Sequence, residues 1–222
     1  VLTPRSSASI GMRTQMPTYN TVILRISRLI GERYFEWYHR IECTGAENVP
    51  LTGPLLVVAN HASNLDPFAL SYGMRRPVSF LAKRELFGIP VVGFLLRQWG
   101  CFPIDREEAD ISAARTCLAI LRAGLALGLF PEGTRTRDGR LQPFKIGVAK
   151  IAVRARAPVL PVGLLGTFEA LPRGALFPKP VKIRVRYGVP FELTEYYERR
   201  MTDEDAAEAT RRIREAVAEL LR

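Results

Sequence analysis

Lysine is scarce in this chain. Five of the 32 basic side chains are lysines and 27 are arginines. Histidine is scarcer still, with only His39 and His61, which excludes a multi-histidine zinc site while leaving a carboxylate-only magnesium site open. The three cysteines, Cys43, Cys101 and Cys117, are odd in number and far apart. That excludes a disulfide framework or a Cys-x-x-Cys metal site and points to a reducing compartment. Long apolar runs are missing too. The longest uncharged one, Leu86 to Leu96, falls well short of the roughly 20 residues that span a bilayer. Residues 1–17 contain no apolar segment of the secretory kind, and residues 1–18 read as a flexible leader. Negative charge is in deficit: 22 acids against 32 bases give a net charge of +10 and a pI near 10.0. An anionic partner follows, and the arginine fork suits phosphate on nucleic acid, on a lipid headgroup or on a nucleotide-bearing cofactor. Disorder is excluded by what remains, since 47% hydrophobic content over 222 residues builds a real core.

From Tyr19 to Glu42 apolar residues recur at three-and-four spacing: Val22, Ile23, Ile26, Leu29 and Ile30, then Tyr34, Trp37, Tyr38 and Ile41. This periodicity predicts an amphipathic helix over 19–42. Arg25, Arg28, Arg33 and Arg40 lie between them. Two readings fit: an ordinary helix docked on the core, or an interfacial helix with aromatics at headgroup level and arginines on anionic lipid. Beyond it, apolar runs at 55–60, 78–83, 101–105, 126–131, 159–164 and 181–188 read as strands. Asp66 to Met74, Glu85 to Arg97, Ala109 to Ala123 and Gly147 to Arg156 read as helices. The alternation predicts an α/β fold with a mostly parallel or mixed sheet flanked by helices. Val181 to Tyr187 alternates apolar and basic residues, as an edge strand with one solvated face would. A last helix opens at Thr202 or Asp203 and buries Ile213, Val217 and Leu220. With no repeat or linker, residues 43–222 read as one domain.

Two constellations carry chemistry. The first, Asn60-His61-Ala62-Ser63-Asn64-Leu65-Asp66-Pro67, follows a buried strand. On a continuous helix a five-residue step leaves the two side chains about 140° apart. His61 and Asp66 therefore meet only if Ser63-Asn64 turns the chain. Asp66 before Pro67 is also a helix N-cap, and capping alone accounts for it. The functional reading is a carboxylate that orients an imidazole and stabilises the imidazolium after proton abstraction. The second constellation, Phe130-Pro131-Glu132-Gly133-Thr134-Arg135-Thr136-Arg137-Asp138-Gly139-Arg140, leaves another apolar strand. Gly133 and Thr134 offer N–H groups and a hydroxyl, and Arg135, Arg137 and Arg140 offer charge, together a phosphate cradle. Glu132 either restrains those arginines or bonds a substrate hydroxyl, and Asp138-Gly139 is also plain turn chemistry. A short strand delivers Arg106, while Lys83 and Lys145 add cations at other strand and helix ends.

In this order the blocks resemble the glycerolipid acyltransferase family, whose best-known members are 1-acylglycerol-3-phosphate acyltransferases. The similarity runs from about Gly45 to Val189. It is carried by the His-x4-Asp block at 61–66 and by Phe-Pro-Glu-Gly-Thr-Arg at 130–135. Between them lies a Gly-x-x-Phe-Ile-x-Arg block into which Pro103 intrudes, giving Gly100-x-Phe102-x-Ile104-x-Arg106. The resemblance implies fatty acyl transfer from a thioester, on coenzyme A or acyl carrier protein, to the free hydroxyl of 1-acylglycerol 3-phosphate, making phosphatidic acid. It implies His61 as general base and Asp66 as its orienting partner. Arg106, Glu132, Gly133, Thr134 and Arg135 would bind the acceptor, and Lys83 is counted with them. No metal and no cofactor beyond the thioester co-substrate is expected. Hydroxyl attack on a thioester independently asks for a base, worth about 10²–10⁴-fold, and for donors to the developing oxyanion.

Three other readings stay open: an acyltransferase for another lysolipid, a thioesterase in which the same pair activates water, and a basic nucleic-acid-binding module. No helix-turn-helix, zinc finger or aromatic RNA-binding motif supports the last. No Gly-x-Ser-x-Gly elbow supports a nucleophile at Ser63, nor does a local Cys-His signature support one at Cys101. The expected partners are a lysophospholipid, acyl-CoA or acyl carrier protein, and an anionic membrane surface. The expected location is peripheral, on the cytoplasmic face of the membrane.

Overall fold

A computed structural model of the chain describes residues 21–104 and 109–222. The expected leader, the first residues of the expected N-terminal helix and Arg106 lie outside the described residues. In chain order the elements are α1 (Thr21–His39), β1 (Glu42–Thr44), β2 (Leu55–Ala59), α2 (Asp66–Tyr72), β3 (Val78–Lys83), α3 (Pro90–Gln98) and β4 (Phe102–Ile104). They continue with α4 (Ala109–Arg122), β5 (Ala126–Leu129), α5 (Gly147–Ala155), β6 (Val159–Leu165), α6 (Thr167–Ala170), β7 (Arg184–Tyr187) and α7 (Asp203–Leu220). The seven strands form one mixed sheet in the order β1-β7-β6-β2-β5-β3-β4. Strands β6, β2, β5, β3 and β4 run parallel, β7 runs against β6, and β1 runs parallel to β7.

β2 reads as an unbroken apolar run because both its faces are covered, and all five of its residues are fully buried. Leu56 and Val58 join a core with Ile120 and Leu121 of α4, Ala149 and Ala152 of α5, and Ile213 and Val217 of α7. Leu55, Val57 and Ala59 face the other way, to Phe35 of α1, Ala69 and Leu70 of α2, and Val185 of β7. The period-two alternation of a strand feeds both layers. α7 opens with a capping box: Thr202 Oγ1 accepts the Asp205 N–H at 3.1 Å, and the Asp205 carboxylate accepts the Thr202 N–H at 2.8 Å.

Three expectations are corrected. The strand expected over 181–188 is Arg184–Tyr187, and it is not at the edge, because β1 pairs along its outer side. Its alternation reflects one solvated face, with Val185 and Tyr187 buried and Arg184 exposed. The helix expected over 85–97 is a 3-10 turn, Arg84–Gly88, followed by α3. Pro90 has no N–H to continue a helix and instead opens a new one in its first turn. The N-terminal helix ends at His39, not Glu42: Arg40 turns left-handed at φ 46°, and the Ile41 N–H closes back on the Phe35 carbonyl at 3.1 Å.

α1 is docked on the core by one face and leaves apolar side chains exposed on the other. Phe35 and His39 are buried, and Ser27 Oγ accepts the Trp99 indole N–H at 2.9 Å. Val22, Ile26, Leu29, Ile30 and Trp37 are nevertheless exposed. Among the described residues no helix is long and apolar enough to cross a membrane.

Candidate active site

The five parallel strands end at one edge of the sheet, and both chemical constellations leave from there. Beyond the last residue of β2, Asn60 continues the ladder with its side chain: Nδ2 donates to the Leu164 carbonyl at 2.9 Å and Oδ1 accepts the Leu164 N–H at 2.8 Å. The backbone is thereby free to turn at His61. The turn through Ser63 brings Asp66 back under the imidazole, and His61 Nδ1 donates to Asp66 Oδ2 at 2.8 Å. The same oxygen accepts the N–H groups of Ala62 at 2.6 Å and Ser63 at 2.7 Å. Asp66 is fully buried, and Oδ1 finds no hydrogen-bond partner among the described residues. The capping reading of Asp66 is corrected here. Asp66 is the first residue of α2, and its carboxylate takes amides that precede it rather than the free N–H groups of the helix.

The second loop holds His61 on three further sides. Glu132 Oε1 accepts the His61 N–H at 2.7 Å, the Thr136 N–H donates to the His61 carbonyl at 2.8 Å, and the Phe130 ring stacks on the imidazole with centroids 4.3 Å apart. Glu132 Oε2 accepts the Gln142 N–H at 3.1 Å. Both carboxylate oxygens are thus engaged by backbone amides, and the arginines of the same loop take neither. Burial pushes the Glu132 carboxyl up from its ordinary value, opposed by the two amides. Gly133 sits at φ 72°, a left-handed conformation that calls for glycine, whereas the Lys145 side chain, whose Cε would lie 2.9 Å from an added Cβ, can swing aside.

Nδ1 is committed to Asp66, while His61 Nε2 bonds nothing among the described residues and the side chain keeps 20% of its surface. His39 is the contrast. It is fully buried, its Nδ1 donates to the Val181 carbonyl at 3.0 Å, and its Nε2 accepts from Tyr34 Oη at 3.1 Å. Burial lowers its pKa, so it is a neutral structural ring. Among the described residues, neither the Cys101 and Cys117 thiols nor Ser63 is poised as a nucleophile beside His61. Burial pushes the Cys101 and Cys117 thiols up to about 12, and Ser63 Oγ donates to the Leu171 carbonyl at 2.8 Å.

The remaining candidates are spread along the edge. Thr134 is exposed, and Arg135 is half-buried without a side-chain partner among the described residues. Lys83 ends β3, exposed and two strands from β2, about 10 Å at the usual strand spacing. It makes no hydrogen bond or ion pair with His61 or Glu132. Ile104, the Cα partner of Lys83, ends β4 at the same edge, two residues before Arg106. A cavity of about 490 Å³, lined by Arg137, Phe168, Pro172, Arg173 and Gly174, opens beside Thr136 and Leu171. Among the described residues no group of three His, Cys, Asp or Glu side chains could hold a metal ion. Asn60, the Phe130 ring, Thr136 and Gln142 were given no role by the sequence. Asn60, Phe130 and Thr136 carry a signal only by lying within the two motif segments, and Gln142 carries none.

A histidine held on a buried carboxylate at the C-terminal edge of the parallel strands, with cations nearby that have no side-chain partner among the described residues, defines an α/β protein with its candidate site where such sheets bind ligands. The model of the Acyltransferase family matches residues 40–165, and the chain belongs to that family, in agreement with the resemblance drawn from its motifs. It is 34% identical over 141 residues to the chloroplastic 1-acyl-sn-glycerol-3-phosphate acyltransferase BAT2 of Brassica napus, covering 62% of this chain and 41% of that protein. It is 34% identical over 140 residues to 1-acyl-sn-glycerol-3-phosphate acyltransferase of Borreliella burgdorferi, covering 62% of this chain and 56% of that one. The chain therefore spans about half the length of these curated relatives or less. The crystal structure of the 1-acyl-sn-glycerophosphate (LPA) acyltransferase PlsC from Thermotoga maritima superposes with a TM-score of 0.74 at 31% identity, over 89% of this chain and 79% of that one.

Proposed function

We propose that this protein transfers a fatty acyl group from a thioester, on coenzyme A or acyl carrier protein, to the free hydroxyl of 1-acylglycerol 3-phosphate, forming phosphatidic acid. The carrying observation is the division of labour within the His61 ring, with Nδ1 held by Asp66 at 2.8 Å and Nε2 unengaged among the described residues. Nε2 removes the proton as the acceptor oxygen attacks the thioester carbonyl. The imidazolium so formed is stabilised by Asp66. The tetrahedral adduct then expels the thiolate, the C–S bond breaks, and the imidazolium returns its proton to sulfur, leaving ester and thiol. Glu132 and Phe130 are positioning residues that hold the backbone and ring plane of His61. Arg135, Lys83 and Arg106, with Gly133 and Thr134, receive the phosphate and glycerol of the acceptor. Residues 43–222 are the catalytic unit, and α1, whose Phe35 and His39 are part of the core, docks it peripherally on the cytoplasmic face of an anionic membrane.

The test is turnover with acyl-CoA, acyl carrier protein thioester and several lysolipids, with products identified by mass spectrometry. His61→Ala should lower kcat by about 10²–10⁴-fold with the melting curve preserved. Near-normal kcat in that variant would sink the assignment. Free fatty acid released faster than lipid is acylated would make the protein a thioesterase.

A further inference from the structure

Two of the three most exposed large apolar side chains among the described residues stand side by side on one loop: Leu176 at 86% and Phe177 at 81%, with Trp37 of α1 at 85%. The loop is not loose. Ser63 Oγ donates to the Leu171 carbonyl at 2.8 Å, the Lys179 N–H donates to the Ala170 carbonyl at 2.7 Å, and Tyr38 Oη of α1 donates to the Pro178 carbonyl at 2.9 Å. The Ala175 N–H closes a turn on the Pro172 carbonyl at 3.1 Å, with Gly174 at φ 94°. Pro172, Pro178 and Pro180 stiffen what lies between. Leucine and phenylalanine held outward at a pinned tip give the fold nothing and present apolar surface to solvent, which marks an interaction site.

Charge identifies the partner. Residues 171–182 contain Arg173, Lys179 and Lys182 and no acidic residue. Lys182 is paired with Glu42, whereas Arg173 and Lys179 have no side-chain partner among the described residues. An apolar tip between free cations matches the boundary between the acyl chains and anionic headgroups of a bilayer. The segment is also bonded to α1 by Tyr38 and His39, and its other end is tied to the turn two residues from His61.

We propose that the 172–180 loop is a second membrane-docking element, inserting Leu176 and Phe177 into an anionic bilayer beside the site. The proposal rests on the reading of the acceptor as a lipid only in giving the docking a purpose, since membrane binding is measured separately from acyl transfer. In co-sedimentation with phosphatidylcholine vesicles containing phosphatidylglycerol, Leu176→Ser/Phe177→Ser should partition about 30-fold more weakly than the wild type, the size expected for half-burying two large apolar side chains. Phe177→Ser alone should give about a fivefold loss by the same scaling. Lys179→Glu should weaken binding to these vesicles and leave binding to pure phosphatidylcholine unchanged. Leu51→Ser, exposed on the loop entering the opposite end of β2, should have no effect. The double variant should keep its melting temperature and its kcat on a short-chain, water-soluble acceptor. Vesicle binding by the double variant as tight as the wild type's, or weakened equally by Leu51→Ser, overturns the proposal. A wild type that binds vesicles through this loop but acylates nothing upholds it and overturns the acyltransferase reading instead.

Discussion

Replacing Asp66 by asparagine removes one charge and leaves the shape almost unchanged, and the surroundings fix how the new side chain must sit. The N–H groups of Ala62 and Ser63 point at Oδ2 from 2.6 and 2.7 Å. An NH₂ group there would face two donors, so the amide oxygen takes that place and the NH₂ occupies the buried position of Oδ1. The oxygen still accepts from His61 Nδ1, and the imidazole keeps the tautomer that leaves Nε2 free. What is lost is the electrostatic support of the imidazolium. Opposite charges about 4 Å apart are worth about 4 kcal/mol at an effective dielectric of 20 and about 1 kcal/mol in water. Because the His61 side chain is 20% exposed and Asp66 fully buried, about 2–3 kcal/mol applies, lowering kcat about 30- to 160-fold. The three charge-assisted bonds to Oδ2 also become neutral, costing about 1–3 kcal/mol of stability, or a melting temperature lower by about 2–12 °C. The assay is kcat on a saturating water-soluble acceptor beside a thermal melt. Unchanged kcat would refute the dyad. A loss nearer 10⁴-fold, as follows when a triad histidine adopts the wrong tautomer, would refute the claim that the two amides fix the asparagine.

Glu132→Gln should keep the bond from the His61 N–H and set its NH₂ against the Gln142 N–H, lowering stability by about 1–3 kcal/mol and kcat more than acceptor KM; a raised KM with normal kcat would make Glu132 a substrate contact instead. His39 has its pKa lowered by burial, so the unfolded chain binds the extra proton first: stability is full above about pH 6.5 and drains as pH falls below it. In His39→Gln that acid-side loss in melting temperature should flatten, and an unchanged profile would assign it to other groups. Arg135→Ala should raise KM for the phosphate-bearing acceptor by about 10- to 150-fold and leave KM for the thioester nearly unchanged; equal effects would place Arg135 outside the acceptor site.

The His61–Asp66 contact was legible because a five-residue step cannot close on a helix and Ser63-Asn64 can turn. The aim of Asp66 was not: Asp-Pro reads as a cap, and only the folded turn shows that the Ala62 and Ser63 amides lie within its reach. Glu132 was visible as a motif residue, but a carboxylate flanked by arginines gives no hint that it bonds an amide 71 positions earlier. Parallel strands announced themselves as continuous apolar runs, whereas β1, three residues long with one half-buried, had no run to announce. The split at Pro90 was readable from proline's missing donor, and the apolar stretch around it concealed that. In α1 the periodicity located apolar positions without saying which of them the core would take.

The long-range bond between Glu132 and His61 bears on how the protein acquires activity. His61 meets Glu132 only after β2 has paired with β5, and Asn60 meets Leu164, 104 positions away, only after β6 has docked on the other side. Loops of that length close slowly, and parallel pairing of distant segments is among the slow events of folding. Helices α4, α5 and α7 can form their hydrogen bonds before any of this. In a refolding experiment, then, far-UV circular dichroism should recover first and acyl transfer last. A nascent chain still lacking β6 would carry both motifs in full and have no assembled base.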